Sequence, residues 1–544
     1  MAIETVAVAN ITYPHSVVTQ ALQAAREVVG DGFQHNRPDE IVLTVALAGA
    51  IAAALWAVIN NSVLSPLRGI PGPWLAGATS WYEFYYDVIK NGTYAHQHSK
   101  MHRQYNSTVI RISPNHVHVA DPEFFRTLFA MGTAGSRFRK AKYFYNSIGI
   151  SAAIGSHVDV EAHHHHRSAM AVGFTTKSIQ AFDTTIVGYA RQIMDIIAAR
   201  GRDGTPVILS HHARAYTIDV IAKLSFGKHA GAMQEVGPEP PTIMAMDDFP
   251  MQFNFTKHFP SWQIILSALP TSVSKRIAPG MHYISELGTE LVSDLINQRA
   301  KEGRSDEEYQ EGKGAIFECL LKPSPKKQYV PPDMTGLVQE ACSFLVGGSD
   351  TTGLTLQAIA LLVLRNPDTL RRLREELDGA SSALGKDHFD VLEVSKLPWL
   401  TAVIRESMRL YPATPGPLPR EVPPDGIHVG KYFLPGGTIV SSSLLSLHYN
   451  PAIFPDPEQF KPERWLGQAG ADLLEWWNPF SRGPRSCLGR QIAWHELATY
   501  IALLFWRFDL ELHQSDERNL EWTEHMFTKL KAPVQVKIIN DRLA

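Results

Sequence analysis

The sequence predicts a mainly α-helical domain with small β-sheets at its beginning and end, preceded by one helix apolar enough to cross a membrane. Three features point to it. Residues 41–59, "IVLTVALAGAIAAALWAVI", form a run of nineteen without a charge. From about residue 160 to 410 the apolar spacing is mostly helical. Short alternating segments flank that stretch: "VIRISPNHVHVADP" before it, and "FDLEL" and "VQVKI" near the end.

As a helix the apolar run reaches about 28 Å, close to a hydrocarbon core of roughly 30 Å. A buried core helix would usually show a polar face. A cleaved signal peptide would start nearer the N-terminus, behind basic residues. The tail before the run, residues 1–40, carries Glu4, Glu27, Asp31, Asp39 and Glu40 against Arg26 and Arg37, and Arg68 follows it. That bias puts the tail in the lumen and the main domain in the cytosol. Asn10-Ile11-Thr12 fits a glycosylation acceptor in such a tail. Residues 60–75, with Pro66, Pro71 and Pro73, form a stiff connector that cannot continue a helix. The main domain then occupies residues 76–544.

A net charge of −3 over 544 residues suggests no nucleic-acid partner. The three cysteines, Cys319, Cys342 and Cys487, are odd in number and far apart, which argues against a disulfide framework and for a reducing compartment.

Cys487 lies in "FSRGPRSCLG", residues 480–489, with no second metal-ligand residue close by. The next stretch, "RQIAWHELATYIALLFW", has Ala493, Leu497, Ile501 and Leu504 on one helical face. The cysteine therefore sits where a loop feeds a helix, and unpaired N–H groups with the helix dipole favour its thiolate. Gly483 and Gly489 remove side chains that would hold a flat ligand away from the backbone. Phe480 offers an apolar wall, and Arg485 can reach an anionic edge. One thiolate, a flat apolar surface and a cation for a carboxylate describe a thiolate-ligated haem. The plain alternative is an inert buried cysteine in a glycine-rich turn.

The same residues resemble the haem-binding loop of the cytochrome P450 monooxygenases, Phe-x-x-Gly-x-Arg-x-Cys-x-Gly. The resemblance extends over about residues 65–540, and it implies the cytochrome P450 fold, haem b with Cys487 as axial ligand to iron, and a monooxygenase reaction. "RESMRL" supplies Glu406 and Arg409, and "FKPERW" supplies Arg464. The resemblance implies that these three form a buried charged triad holding a helix to the segment before the cysteine loop. "ACSFLVGGSDTTGLTLQAIALLVL" reads as one long apolar helix interrupted at Gly347, Gly348, Ser349, Asp350, Thr351 and Thr352; two helices joined by a glycine turn is the other reading. By resemblance it crosses the distal haem face, and Asp350 and Thr351 relay protons.

"EAHHHHRSAMAVGFTTKSI" holds four consecutive histidines. Consecutive helical residues point in different directions, which argues against a metal site there. The family's spacing assigns Arg167 and His163 to a haem propionate, although tryptophan is commoner at the first position. Arg420 in "PLPREV" occupies a place where relatives contact a propionate. Planar guanidinium forks suit carboxylates.

The chain shows no flavin or nicotinamide fingerprint, so by resemblance electrons come from NADPH through a partner cytochrome P450 reductase. Arg482 and Arg490 beside the cysteine are docking candidates. Pocket walls fall by resemblance in "KAKYFYNSIGIS", at Phe344 and Gly347, and from Thr414 to Leu418. These segments are apolar and aromatic and suit a lipophilic substrate. "HFPSWQIILSALP" resembles a membrane-dipping segment, which fits single-pass anchoring in the endoplasmic reticulum membrane. The proline connector and histidine–arginine spacing resemble fungal members of secondary metabolism. A haem-thiolate isomerase, dehydratase or peroxygenase, or a non-catalytic membrane haem protein, is the alternative.

Overall fold

The computed structural model describes residues 38–130, 137–235, 239–304, 309–380, 389–514 and 517–544. Asn10 and nearly all of the acidic tail lie outside these residues. The chain divides into two compact units, Met1–Ser65 and Pro66–Ala544.

In the first unit, helix α1 spans Pro38–Ile59 and continues as a wider π-turn over Asn60–Leu64. The helical run therefore begins before residue 41 and ends after residue 59. Its apolar part, Val42–Leu64, is 23 residues long with side chains open to the surroundings. At 1.5 Å per residue that is about 35 Å, enough to cross a bilayer.

The second unit is built around helices. Those that position the site are α2 (Val160–Met170), α3 (Leu209–Phe226), α4 (Pro241–Thr256), α5 (Ser261–Ala268), α6 (Pro279–Lys301), α7 (Met334–Arg365), α8 (Pro398–Leu410) and α9 (Arg490–Arg507). Helix α7 packs against α3, α6, α8 and α9. Its 32 residues are mostly buried, which is why its apolar character runs all round. Asp333 caps its start by accepting from the Gly336 N–H at 2.8 Å, and Asn366-Pro367 ends it. The glycine-turn alternative is thus replaced by one continuous helix. Gly348 keeps the helices close, because a Cβ there would stand 2.5 Å from Ile221 of α3.

The strands are β1 (Val109–Ser113), β2 (His116–Val119), β3 (Arg139–Lys140), β4 (Val207–Ile208), β5 (Arg420–Glu421), β6 (Ile427–Val429), β7 (Tyr432–Leu434), β8 (Ile439–Ser441), β9 (Phe508–Leu512), β10 (Trp522–His525), β11 (Phe527–Leu530) and β12 (Gln535–Asp541). The largest sheet has the order β1-β2-β8-β5-β3, with β2 and β8 parallel and the other neighbours antiparallel. β4, β12 and β9 form a second sheet, and β6-β7 and β10-β11 are hairpins.

The segment expected to dip into a membrane forms α5, where Ile264 is 71% and Ile265 48% exposed.

Candidate active site

A cavity lies between the cysteine loop and the middle of α7. Cys487, Phe480, Gly489, Gly347, Thr351, Phe344, Thr414 and Leu418 line it, together with His163, Arg167, Arg420 and Arg485. Residues from four separated stretches of sequence thus meet around one space.

The cysteine loop is short and tightly tied. The Cys487 N–H donates to the Phe480 carbonyl at 2.9 Å, which closes the loop on itself. Gly483 has a positive φ of 74°, and a Cβ there would stand 2.5 Å from the Phe129 carbonyl oxygen. Gly483 therefore lets the loop pack on the chain near Phe129, and the expectation that it clears a face for the ligand is corrected. Gly489 lines the cavity, and a Cβ there would meet nothing within 4 Å. Gly347 is open in the same sense on the opposite wall.

The Cys487 thiol is exposed where it lines the cavity. Helix α9 starts only at Arg490. Burial pushes the thiol up, and the Gly489 N–H, Arg167 and Arg490 oppose it without prevailing. A metal ion would reverse that balance, because coordination deprotonates a thiol outright.

Cations line one side of the cavity. Arg167 Nη1 donates to the Ser486 carbonyl at 2.7 Å, and Arg485 Nη1 to the His157 carbonyl at 2.8 Å. Arg420 Nη1 donates to the Tyr145 hydroxyl at 2.7 Å. Lys140, a cation the sequence reading passed over, joins them; its Nζ donates to the Gly155 carbonyl at 2.5 Å. The β3–β5 register sets Lys140 directly opposite Arg420. Like charges across a strand pair repel, and among the described residues no carboxylate pairs with any of the four. Burial, with Arg420, Arg485 and Arg167 nearby, holds Lys140 far below the usual lysine range. Burial and Arg420 bring Arg485 down to about 10. His163 is held down to about 2 by burial and the same cations, and is neutral at physiological pH.

One thiol, open glycines on opposite walls and four cations without a paired anion, Lys140 and Arg420 of them buried, fit a flat, iron-bearing dicarboxylate. Haem is such a group. Cys487 would hold the iron, and the cation cluster would hold the propionates.

The four consecutive histidines diverge. His163 and His166 are buried, while His164 and His165 turn outward, as a helical period dictates.

The Asp350–Thr351 pair also diverges. Thr351 lines the cavity, and its Oγ1 donates to the Gly347 carbonyl at 2.9 Å. Asp350 faces a separate cavity between α3, α4 and the β10-β11 hairpin. There Arg214 joins it to Asp247, with Nη2 2.5 Å from Asp350 Oδ1. Burial raises the Asp350 carboxyl, with Arg214 opposing. The structure does not bring Asp350 into the cavity that Thr351 lines.

Glu406, Arg409 and Arg464 come together as expected. Arg409 grips Glu406 through Nε at 2.9 Å and Nη2 at 2.8 Å, and Arg464 Nε donates to Glu406 Oε1 at 2.9 Å. Trp465 Nε1 and the Lys461 N–H complete the carboxylate, at 2.9 and 3.0 Å. Arg409 also donates to the carbonyls of His448, Pro457 and Gln459. The cluster fastens α8 to the segment that leads into the cysteine loop. Arg482, offered as an exposed cation, is partly buried in a groove beside Arg485; Arg490 is exposed.

Two further acids line the cavity. Glu496 on α9 is buried with no partner for Oε1 among the described residues, and burial pushes it well above the carboxylate range. Glu340 on α7 is likewise buried. The sequence signal for both was an acid inside an otherwise apolar helix.

Residues 73–538 match the family model for cytochrome P450. Cytochrome P450 monooxygenase opaB of Aspergillus ustus is 58% identical over 98% of this chain and 99% of its own length. Cytochrome P450 monooxygenase penB of Penicillium thymicola is 38% identical over 81% of this chain and 98% of its own. A crystal structure of a cytochrome P450 (CYP102L1) superposes with a TM-score of 0.68 at 19% identity, covering 83% of this chain and 95% of the other. That likeness establishes the fold, and the family implies haem. The chain therefore belongs to the cytochrome P450 family and is an enzyme of its monooxygenase kind.

Proposed function

We propose that the chain inserts one oxygen atom from dioxygen into a lipophilic small molecule in a fungal secondary-metabolite pathway. The observation that carries this is the cavity between Cys487 and the Gly347–Thr351 stretch, apolar on most walls and cationic on one. Its relatives from Aspergillus ustus and Penicillium thymicola support the fungal setting.

Cys487 holds the iron of haem b. Arg167, Arg420, Arg485 and His163, with Lys140, hold the propionates; Phe480 and Gly489 border the ring. Bound haem supplies the reductive activation of dioxygen. The Thr351 hydroxyl, whose proton goes to the Gly347 carbonyl, accepts from a water at the distal wall and so holds it where that water can donate a proton. Asp350 exchanges protons with the neighbouring cavity, from which its ion pair with Arg214 must open. Phe344 packs on Phe174 and Phe317, with ring centroids at 6.0 and 5.5 Å, and with Thr414 and Leu418 excludes water from the reacting carbon.

Electrons come singly from NADPH through a cytochrome P450 reductase that docks near Arg482 and Arg490. Helix α1 anchors the chain in the endoplasmic reticulum membrane with the main domain in the cytosol. Co-expression with a reductase and candidate precursors tests the reading. A reduced carbon-monoxide spectrum typical of a thiolate haem and NADPH-dependent oxygenated product are expected. Product formed equally without reductase would replace it with a peroxygenase.

A further inference from the structure

A row of aromatic rings leads away from the cysteine loop. Phe480 lines the cavity with Cys487, and its carbonyl accepts from the Cys487 N–H at 2.9 Å. The Trp477 ring meets Phe480 nearly at right angles, with centroids 6.1 Å apart. Trp477 meets Trp494 of α9 in the same way, with centroids 6.2 Å apart. Both tryptophans are half-buried and touch solvent. The row therefore runs from the cavity wall to the surface through ring contacts alone. Trp465 also meets Trp477, at 6.1 Å, but it is buried against Glu406 and offers no exit.

Edge-to-face packing at such distances stabilises any aromatic pair. Phenylalanine would supply it as well. Indole adds one property: it gives up a single electron far more readily than a phenyl ring. Trp477 Nε1 donates to the Arg405 carbonyl at 3.0 Å, and Trp494 Nε1 to the Ser395 carbonyl at 3.3 Å. Each bond strengthens when its donor ring becomes cationic. The Arg405 guanidinium stands 5.9 Å from the Trp477 ring centre, whereas among the described residues no cation–ring contact is found at Trp494. Repulsion from Arg405 disfavours positive charge on Trp477 and so favours its passage outward to Trp494.

We propose that Trp477 and Trp494 form an electron route that gives the haem site a second activity: oxidation, one electron at a time, of the reduced metal centre of another protein at the surface. This rests on the haem-thiolate reading above. Hydrogen peroxide is the oxidant. It takes up two electrons and two protons at the site and leaves as two waters. Each electron passes from Trp494 to Trp477 and on past Phe480. Two donor proteins refill Trp494 in turn, each losing one electron, and the protons come from water. Atoms and electrons balance. The route drains oxidising equivalents when the cavity holds no substrate.

The test uses the haem-loaded full chain, hydrogen peroxide and reduced plastocyanin, with neither reductase nor substrate. Plastocyanin carries a one-electron copper site and is a folded protein that cannot enter the cavity. Its acidic surface suits Arg405 and Arg490 beside the two indoles. The wild type should oxidise plastocyanin well above the rate of haem-free chain. W477F and W494F should lose most of that rate, and W477Y and W494Y should keep it, because a phenol passes an electron and a phenyl ring does not. Phenylalanine and tyrosine fill nearly the same space, so a packing role would move both pairs alike. All four variants should keep the reduced carbon-monoxide spectrum. With peroxide and no donor, peptide mass spectrometry of the wild type should find oxygen added to Trp477 and Trp494, and none in haem-free chain. Oxidation no faster than with haem-free chain, phenylalanine variants as active as the wild type, or tyrosine variants as impaired as the phenylalanine ones overturns the proposal. Unmodified indoles in the wild type overturn it even where no variant folds. Failure of the monooxygenase reading would show separately, as no NADPH-dependent product with added reductase.

Discussion

Asp350 and Thr351 are consecutive on α7 and face different cavities: Asp350 is ion-paired to Arg214 at 2.5 Å, and Thr351 is back-bonded to Gly347 at 2.9 Å. Replacing each therefore has a different consequence. Thr351→Ala removes a hydroxyl from the cavity and leaves the ion pair intact. Product formed per NADPH should fall roughly tenfold or more, with hydrogen peroxide rising in its place. Asp350→Asn leaves Arg214 with Asp247 alone and should slow NADPH consumption while coupling holds. Parallel assays of NADPH, peroxide and product separate the two, and unchanged product yield in Thr351→Ala would remove the threonine from the mechanism.

Glu406 accepts from Arg409, Arg464, Trp465 and the Lys461 backbone, and both it and Arg409 are fully buried. Glu406→Ala leaves a buried guanidinium without its counter-charge, at a cost of about 3–5 kcal/mol. The variant should express without haem. Its absorbance spectrum after purification checks this, and normal haem content refutes the structural role.

Lys140 gives a pH-dependent signature. Its folded-state pKa is depressed by burial and neighbouring cations, so the unfolded chain binds more protons at this site. The stability of the haem-free protein should therefore rise as pH climbs from the depressed folded value toward the unfolded lysine value near 10.4. Lys140→Met should flatten that rise and weaken haem retention. Thermal melting of haem-free wild type and variant across alkaline pH reads the first effect, and haem transfer to apomyoglobin reads the second. Identical melting profiles would show that the lysine is not penalised.

Helix α1 should be dispensable for the haem site. A chain starting at Pro66 should leave the membrane fraction and keep the reduced carbon-monoxide spectrum of the full chain. Fractionation followed by spectroscopy checks both points; a truncated chain still fully membrane-bound would shift the anchor to surfaces such as α5.

The haem loop was legible because its residues are close in sequence and their types are restrictive. Glu406 and Arg409 were legible as neighbours on one helical face, whereas Arg464 reached them only through family resemblance. Lys140 went unread because its opposition to Arg420 is a matter of strand register across 280 residues. Glu340 and Glu496 went unread as site residues, although an acid inside an apolar helix carried a signal.

By itself the sequence determined which chemistry the chain can support: a lone cysteine among glycines, arginines for carboxylates and an apolar helix broken by Gly-Gly-Ser-Asp-Thr-Thr. Local spacing encodes these, since helical period and turn chemistry act within a few residues. The tertiary structure alone decided which side chains share a space. It turned Asp350 away from Thr351's cavity and placed Gly483 against Phe129 instead of the ligand. Direction and burial depend on packing between distant segments, and so does the balance of desolvation against neighbouring charge.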